Sequence, residues 1–451
     1  MKYDLIIKNG EVVLEAGSTK TDIAVKNGKI VAIGENLGDA DKTINADGLI
    51  VTPGMIDPHT HISEPGRTQW EGYVTGTNSA AKGGVTSFIE MPLNQLPVTA
   101  DRESLQIKFD AAENKMTVDV AVYGALMPSN LDDLQDMSDD GVVGYKAFMS
   151  TVGDRSLEND MQNVDDYSLY EGMRRIAKTG KPLLLHCENA ALTDRLGKIY
   201  EENGPNTLAN YVDSRPVFTE VEAIRRAIYI AKQTDVKLHI CHISCPEGVE
   251  EVIKAKAEGM DITCESCTHY FAFTKDDLDK IGNTAKCSPP IRDKENQEGL
   301  WELLFNGDID FIGSDHSPST PDLKEGPAFS AWGGIAGLQN AYDVFFDEAV
   351  QKRGMSLKQF VDLTATNIAD RFELENKGRI SVGKDADFAF IKPNSPYVLK
   401  TEDLEYKNKL SAYVGREIGA QITKTIVRGN VVYDIDQGVT KEFPGRFILN
   451  K

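Results

Sequence analysis

The sequence predicts an α/β protein, a (β/α)8 TIM barrel with a second, small β-sandwich domain built from both chain ends. Two observations favour this architecture. Between about residues 54 and 375, eight short apolar segments alternate with helix-length segments, which is typical of a barrel of parallel strands. Both chain ends instead alternate apolar and polar residues and are interrupted by glycines, which is typical of antiparallel strands.

The small domain is predicted from the two β-rich ends. Residues 1–53 contain the stretches DLIIKNG, DIAVKNGKIVAIG and TINADGLIVTPG. A similar alternation of apolar and polar residues occurs within residues 376–451, in GRISVGKDADFAFI and ITKTIVRGNVVYDID, which are followed by a tail. Each end alone is too short for a good hydrophobic core, so we expect the two to join into one domain. The barrel is then assigned to residues 54–375.

The eight barrel strands are predicted, in chain order, at MIDPHTHI, TSFIEMP, VDVAVYGAL, VVGYKAFM, PLLLHCE, KLHICHIS, DITCESCTHY and DFIGSDHS. Helices are predicted between them, for example over 99–115 and over 219–234, the second beginning with a capping box formed by Thr219–Glu222. Two long polar stretches, 150–168 and 317–331, follow strand ends. They belong to the carboxyl-terminal face, where active sites of barrels lie.

The composition excludes several classes of protein. With 451 residues, 41% hydrophobic and 26% charged, the chain has the profile of a globular protein with a sizeable core. Its net charge of −21 argues against nucleic-acid and anionic-lipid partners. We find no apolar run long enough for a membrane span and no secretory leader, and six scattered cysteines fit reduced thiols. We therefore expect a cytoplasmic protein with a small-molecule partner.

Residues of metal-binding type fall at the ends of the predicted barrel strands. His59 and His61 end the first strand, where residues i and i+2 share a face. His186 ends the fifth strand, His242 the sixth and Asp315 the eighth. A barrel brings these strand ends together at one rim, so the sequence predicts a metal site there.

A lysine inside the fourth strand completes this set. An unpaired lysine such as Lys146 would be costly in a barrel strand. Four neutral imidazoles and one aspartate supply little negative charge for two divalent ions, whereas a carbamate formed from CO₂ and the neutral Lys146 amine (N6-carboxylysine) would add a bridging carboxylate. Two ions ~3.5–4 Å apart would share a hydroxide that is nucleophilic near neutral pH and would polarise the carbonyl that it attacks.

Two other polar features are assigned structural roles. His239 lies three residues before His242, so we expect it on the opposite strand face, packed between barrel and helices. The pair Cys264-x-x-Cys267 has a metal or redox spacing but no second pair, and we expect no metal there.

The motif D57-x-H59-x-H61, the four other rim residues and the segment GRISVGKDADF resemble the cyclic-amidohydrolase branch of the amidohydrolase superfamily. The branch holds dihydroorotases, hydantoinases, dihydropyrimidinases and allantoinases, and the resemblance covers almost the whole chain. It implies that His59 and His61 bind a more buried α ion. It implies that His186 and His242 bind a β ion, with the lysine carbamate between the two.

The resemblance also implies a role for the aspartate and an identity for the ions. Asp315 would bind the α ion, take the proton of the attacking hydroxide and pass it to the departing ring nitrogen. The ions are expected to be Zn²⁺, with Co²⁺, Mn²⁺, Fe²⁺ or Ni²⁺ as alternatives. Relatives in this branch are commonly tetramers, which implies a homotetramer.

Two positions near the rim separate the members of the branch. Ser63 stands where dihydroorotases carry an arginine for the substrate carboxylate, and Arg67 is the alternative source of such a charge. Thr151 stands where hydantoinases and dihydropyrimidinases carry a tyrosine. We therefore expect an uncharged pocket with room for a bulky ring substituent.

The motifs HTHISEPGR, EMPLNQLP, KAFMSTVGDR, CESCTHYF and KCSPPIRD resemble allantoinases most. This resemblance implies hydrolysis of the cyclic amide of allantoin to allantoate, a step of purine degradation. By analogy with the branch, the backbone at Ser288 and Gly334 would bind the ring amide. Asn94 and Ser317 would contact the ureido group, with Ser63 as a further substrate-side residue. The alternatives are a broad-range hydantoinase or dihydropyrimidinase, then a dihydroorotase, and a non-catalytic scaffold on the same fold.

Overall fold

The structure is a computed structural model that describes residues 2–451. Its strands are β1 (Tyr3–Leu14), β2 (Gly17–Lys26), β3 (Lys29–Gly34), β4 (Ala40–Asn45), β5 (Ile50–Pro53), β6 (Met55–Thr60), β7 (Val85–Glu90), β8 (Asp119–Ala125), β9 (Gly144–Phe148), β10 (Leu183–His186), β11 (Leu238–Ile240), β12 (Ile262–Cys267), β13 (Phe311–Gly313), β14 (Phe388–Lys392), β15 (Tyr397–Val398), β16 (Glu417–Ile418), β17 (Gln421–Val427), β18 (Asn430–Asp434) and β19 (Gly438–Val439).

The helices lie mainly between the strands β6 to β14. They are α1 (Tyr73–Lys82), α2 (Arg102–Ala112), α3 (Leu134–Asp140), α4 (Asp166–Thr179), α5 (Ala190–Asn203), α6 (Leu208–Asp213), α7 (Val217–Ala231), α8 (Pro246–Ala257), α9 (Thr268–Ala272), α10 (Lys275–Ile281), α11 (Lys294–Asn306), α12 (Ala341–Phe345), α13 (Leu357–Val361) and α14 (Asn367–Arg371). A π-helical turn extends α12, and another joins α13 to α14. No helix among residues 2–451 is both long and apolar enough to cross a membrane.

Strands β6 to β13 form the predicted barrel. They pair in parallel and in chain order. Seven of the eight predicted segments contain a whole strand, and the segment TSFIEMP covers β7 except for its first residue, Val85. The ends of the sheet meet where Thr60 bridges His316 and the His61 N–H donates to the His316 carbonyl at 2.8 Å. The predicted fold class is thus confirmed, with helices covering the outer face of a parallel sheet.

The two chain ends meet in a second sheet of nine strands. Its order is β19-β18-β17-β14-β5-β1-β2-β3, with β4 also paired to β1. The junction is the antiparallel pair β5–β14, in which Val51 lies opposite Phe390. Both residues belong to one buried apolar cluster that also contains Ile23 and Ile426. The N-terminal and C-terminal strands therefore share one core, as the alternating pattern of both ends predicts.

A buried ionic cluster joins this second sheet to the base of the barrel, the end opposite the histidine rim. The Lys377 ammonium lies 2.6 Å from Asp119, the first residue of β8, 2.7 Å from Asp387 and 3.0 Å from Asp385. Arg428 also pairs with Asp119. Burial alone would lower the pKa of Lys377, but the three carboxylates raise it above its ordinary value.

Helix starts show one wrong prediction. Helix α7 begins at Val217, directly after Pro216, and not at the predicted capping box. The proline ring fixes φ at −63°, which suits the entry to a helix. Thr219 therefore lies inside the first turn, and its hydroxyl donates to the Pro216 carbonyl at 2.8 Å.

Candidate active site

The six predicted metal-binding residues meet at the carboxyl-terminal rim of the barrel. Each comes from a barrel strand or from the residues directly after one: His59, His61, Lys146, His186, His242 and Asp315. All of them are buried except Asp315, which is partly exposed. A parallel barrel explains the convergence, because the carboxyl ends of its strands surround one space.

The first half of the site contains His59, His61 and Asp315. The Asp315 Oδ1 atom lies 3.3 Å from the Nε2 atom of His59 and 3.4 Å from that of His61. These three residues each offer a ligand atom within 4.8 Å of the other two. Two imidazole nitrogens and one carboxylate oxygen form a donor set that a divalent ion such as Zn²⁺ accepts.

The second half contains His186, His242 and Lys146. The His186 Nδ1 and His242 Nε2 atoms face each other at 3.1 Å, and the rings of His59 and His242 are 5.2 Å apart. The Lys146 Nζ atom contacts the Cys241 sulfur at 3.0 Å. It makes no ion pair with a carboxylate among residues 2–451, although the side chain is fully buried.

Left-handed backbone conformations place two of these side chains. His242 has φ of 35° and Asp315 has φ of 44°, a region that residues other than glycine rarely adopt. Each residue follows the end of its strand by two positions, so the simple alternation of faces no longer holds there. Both side chains can therefore join residues that lie on the inner face of the barrel.

The left-handed turn at His242 explains why the predicted position of His239, between the barrel and the helices, is wrong. The His239 ring stacks on Phe311 at 4.8 Å, and its Nδ1 atom bonds the Thr263 hydroxyl at 2.9 Å. Its Nε2 atom lies 3.4 Å from Glu265. Because Glu265 also contacts His59, His239 lies inside the barrel below the metal-binding residues and not between barrel and helices.

Burial favours the neutral form, which is the form that binds metals, in three of the imidazoles. It lowers the pKa of His61 to about 4, that of His186 below its ordinary value and that of His242 well below it. An ammonium at Lys146 would lower all three pKa values further, because the lysine lies close to these three imidazoles. For Asp315, burial alone would raise the pKa, but attraction to His59 and a hydrogen bond with His61 hold it well below its ordinary value.

Two carboxylates that sequence reasoning missed orient the histidines. Glu188 accepts a hydrogen bond from the His186 Nε2 atom at 2.9 Å, and Glu265 contacts the His59 Nδ1 atom. Such contacts fix the ring orientation of a metal-binding histidine. A signal was present for both, since Glu188 follows His186 by two residues and Glu265 interrupts an apolar strand.

A cavity of about 300 Å³ opens above these residues. Both long polar stretches contribute to its wall, as expected from their place after strand ends. Four of the five predicted substrate contacts line it, namely Asn94, Ser288, Ser317 and Gly334. The Asn94 amide donates to the Ser317 hydroxyl at 3.2 Å. Ser63, the fifth, is fully buried and is not part of the wall.

The expectation of an uncharged pocket is wrong, because the cavity wall contains an arginine and a glutamate besides the metal-binding residues. Arg67, the alternative considered from the sequence, is not on the wall and pairs with Asp160 at 2.7 Å. Arg215 and Glu188 do line the cavity, and they pair at 2.8 Å. Arg215 comes from the connection between α6 and α7, which no motif in the sequence marks.

A barrel with a rim of histidines, an aspartate and a buried lysine defines the class of metal-dependent hydrolases. Comparison with known proteins agrees, since the model of the Amidohydrolase family matches residues 50–432. The chain belongs to the amidohydrolase family. Within it, the chain is 60% identical to the allantoinase of Enterococcus faecalis (strain ATCC 700802 / V583), over 100% of both chains.

Two further relatives support this assignment. An allantoinase of Escherichia coli (strain K12 / DH10B) is 59% identical and is aligned over 100% of this chain and 99% of its own. Among solved structures, the L-hydantoinase (dihydropyrimidinase) from Arthrobacter aurescens superimposes with a TM-score of 0.95 at 33% identity, over 99% of this chain and 100% of its own. The protein is therefore an enzyme, a hydrolase acting on cyclic amides.

Proposed function

We propose that this chain is an allantoinase that opens the hydantoin ring of allantoin to give allantoate. The observation that carries the proposal is the convergence of six residues of metal-binding type beneath a cavity of about 300 Å³, in a chain that shares 60% of its residues with allantoinases. A cavity of this size suits a small molecule.

The residues at the rim fit a pair of divalent ions. His59, His61 and Asp315 would hold one ion, and His186 and His242 the other. When bound, the two ions would lower the pKa of a water molecule and polarise the carbonyl under attack. Zn²⁺ is the expected metal, because imidazole and carboxylate ligands suit it.

Lys146 supplies the remaining ligand as a carbamate. Its neutral amine adds to CO₂ and releases a proton, which converts a buried cation into a carboxylate. The Lys146 side chain is fully buried, and its Nζ atom contacts the Cys241 sulfur but forms no ion pair with a carboxylate among residues 2–451, which supports this modification. A buried ammonium without a counter-ion would be costly, and the carbamate removes that cost.

Asp315 acts as the proton carrier. Its pKa is held well below the ordinary value, so the carboxylate is ionised and can take the proton of the attacking water. It then delivers that proton to the ring nitrogen as the amide bond breaks. Ser288 and Gly334 bind the ring amide from the cavity wall, and Asn94 and Ser317 contact the substituent.

The cellular setting follows the same proposal. We expect a homotetramer in the cytoplasm, acting in purine degradation. Size-exclusion chromatography with light scattering tests the subunit count, and a mass near that of one chain would contradict it.

A substrate panel tests the function. Metal-reconstituted protein is assayed with allantoin, hydantoin, dihydrouracil and dihydroorotate side by side, and a chelated sample serves as the control. We expect kcat/KM for allantoin to exceed the other three by at least about tenfold. A preference for hydantoin or dihydrouracil would instead identify a broad-range hydantoinase, and full activity without metal would overturn the mechanism.

A further inference from the structure

Arg215 occupies a wall position of the active-site cavity with only part of its hydrogen-bonding capacity in use. Its Nη1 atom donates to both carboxylate oxygens of Glu188, at 2.8 Å each. Within residues 2–451, the Nε and Nη2 groups donate to no protein acceptor. A fifth of the Arg215 side chain is exposed, whereas Glu188 is buried. The free N–H groups are thus available to a molecule in the cavity.

The surroundings of Arg215 connect it to one metal-binding histidine and to Ser288, the proposed contact of the substrate ring. Glu188 bonds His186, so the guanidinium lies one carboxylate away from a metal-binding imidazole. The guanidinium also lies over the Tyr211 ring, 5.3 Å from its centre. The Tyr211 hydroxyl in turn bonds the Ser288 hydroxyl at 2.5 Å. A ring held at Ser288 would therefore place its substituent near Arg215.

The charge of Arg215 is already compensated. Because Glu188 pairs with it at close range, the wall offers directed N–H donors with little net charge. A substrate carboxylate would meet the Glu188 charge as well as the arginine, whereas a neutral carbonyl oxygen would gain the hydrogen bonds without that repulsion. The nearby Lys286 is not on the wall, and its Nζ atom donates to the Phe329 and Ala331 carbonyls.

We propose that Arg215 adds to the Asn94 and Ser317 contacts and selects the ureido substituent, donating from Nε and Nη2 to the ureido carbonyl oxygen. The Glu188 pairing makes this wall favour a neutral urea over a carboxylate. The inference rests on the proposed function, since it assigns the substituent of that substrate to a position on the wall.

The experiment compares allantoin with hydantoin, which has the same ring without the ureido group. Arg215→Met removes the donors, and Arg215→Lys keeps the positive charge but loses the planar pair of N–H groups. We expect the ratio of kcat/KM for allantoin to that for hydantoin to fall about 10- to 100-fold in both variants, as for a lost hydrogen bond to a charged group. If hydantoin turns over too slowly, its inhibition constant against allantoin replaces its kcat/KM.

A matched control and the metal content separate this role from a structural one. Arg225→Met removes an arginine that pairs with Glu251 at 2.9 Å on the surface, and it should leave the ratio as in the wild type. If Arg215 only supports Glu188 and His186, both substrates lose activity equally and bound metal falls, which would overturn the inference. If the wild type does not hydrolyse allantoin at all, the proposed function fails instead.

Discussion

Two buried clusters of charged residues lie at opposite ends of the barrel, and they differ in what surrounds the carboxylates. At the base, Asp119, Asp385 and Asp387 have oxygen atoms within 4.8 Å of one another, the same spacing that His59, His61 and Asp315 show at the rim. By spacing alone, either cluster could hold a cation.

The neighbouring cations distinguish the two clusters. At the base, Lys377 and Arg428 pair with the carboxylates, so a protein ammonium already fills the place of a metal ion. At the rim, Lys146 has no carboxylate partner among the described residues, and the Nδ1 atoms of His61 and His242 are buried without a hydrogen bond. The two ends therefore differ in ion pairing: protein cations neutralise the carboxylates at the base, whereas the buried lysine at the rim has no carboxylate partner.

Replacing the rim lysine tests this contrast most strongly. Lys146→Ala should reduce allantoin hydrolysis by on the order of 10³-fold or more, because the bridging carboxylate is lost. Metal content measured on the same sample should fall as well. Short carboxylic acids added to the assay should restore part of the activity, and full activity without them would rule out the carbamate.

Replacing the rim aspartate separates binding from chemistry. Asp315→Asn keeps an oxygen ligand but removes the proton acceptor, so we expect metal to stay bound while kcat falls about 10²- to 10⁴-fold. The measurement pairs steady-state kinetics with metal analysis. Turnover within tenfold of the wild type would contradict the role of Asp315.

Replacing Lys377, the lysine at the bottom of the barrel, should affect the stability of the fold and not the catalysed reaction. Lys377→Met leaves buried carboxylates without their cation, which costs about 3–5 kcal/mol of unfolding free energy. Since the pKa of Lys377 is raised on folding, its contribution is complete at neutral pH and declines only as pH rises past about 10. Denaturant unfolding measures the loss, with kcat of the folded fraction unchanged.

A surface lysine provides the control for that variant. Lys20→Met removes an exposed pair with Asp47, and its unfolding curve should overlay the wild type. If Lys377→Met and Lys20→Met lost the same unfolding free energy, burial of the ionic cluster around Lys377 would make no contribution to stability.

Acid should release the metal only well below the ordinary histidine range. Because burial lowers the pKa of His61 to about 4, protons compete for this ligand only near that pH. Metal content after dialysis should stay constant from about pH 8 to 5.5 and fall towards pH 4. Release near pH 6.5, the value of an exposed histidine, would contradict the buried site.

The barrel and the histidine rim could be predicted because each signal is local. A short apolar run that ends in a histidine or aspartate gives both the strand and the position of the side chain at its end, as for His59 and His186. The joining of the two chain ends was predictable for the same reason, since both alternate with period two. The domain limits at 53/54 and 375/376 stay a prediction.

The features of the site that the sequence did not predict depend on backbone conformation or on contacts between distant segments. The left-handed turn at His242 changes which face of the strand His239 occupies, and no residue type announces such a turn. Arg215 reaches the cavity from a connection between helices, where composition indicates only a loop. Glu265 could have been found, because a buried carboxylate in a strand needs a partner.

The pairing of β5 with β14 has a consequence for synthesis of the chain. More than 300 residues separate these adjacent strands, so at ~5–20 residues per second the ribosome needs roughly 15 to 70 seconds between them. During this interval the N-terminal strands expose an open edge, which is prone to unwanted pairing with other nascent chains. Slower translation would lengthen this exposure and lower the yield of folded protein. A chaperone that covers the edge would raise that yield.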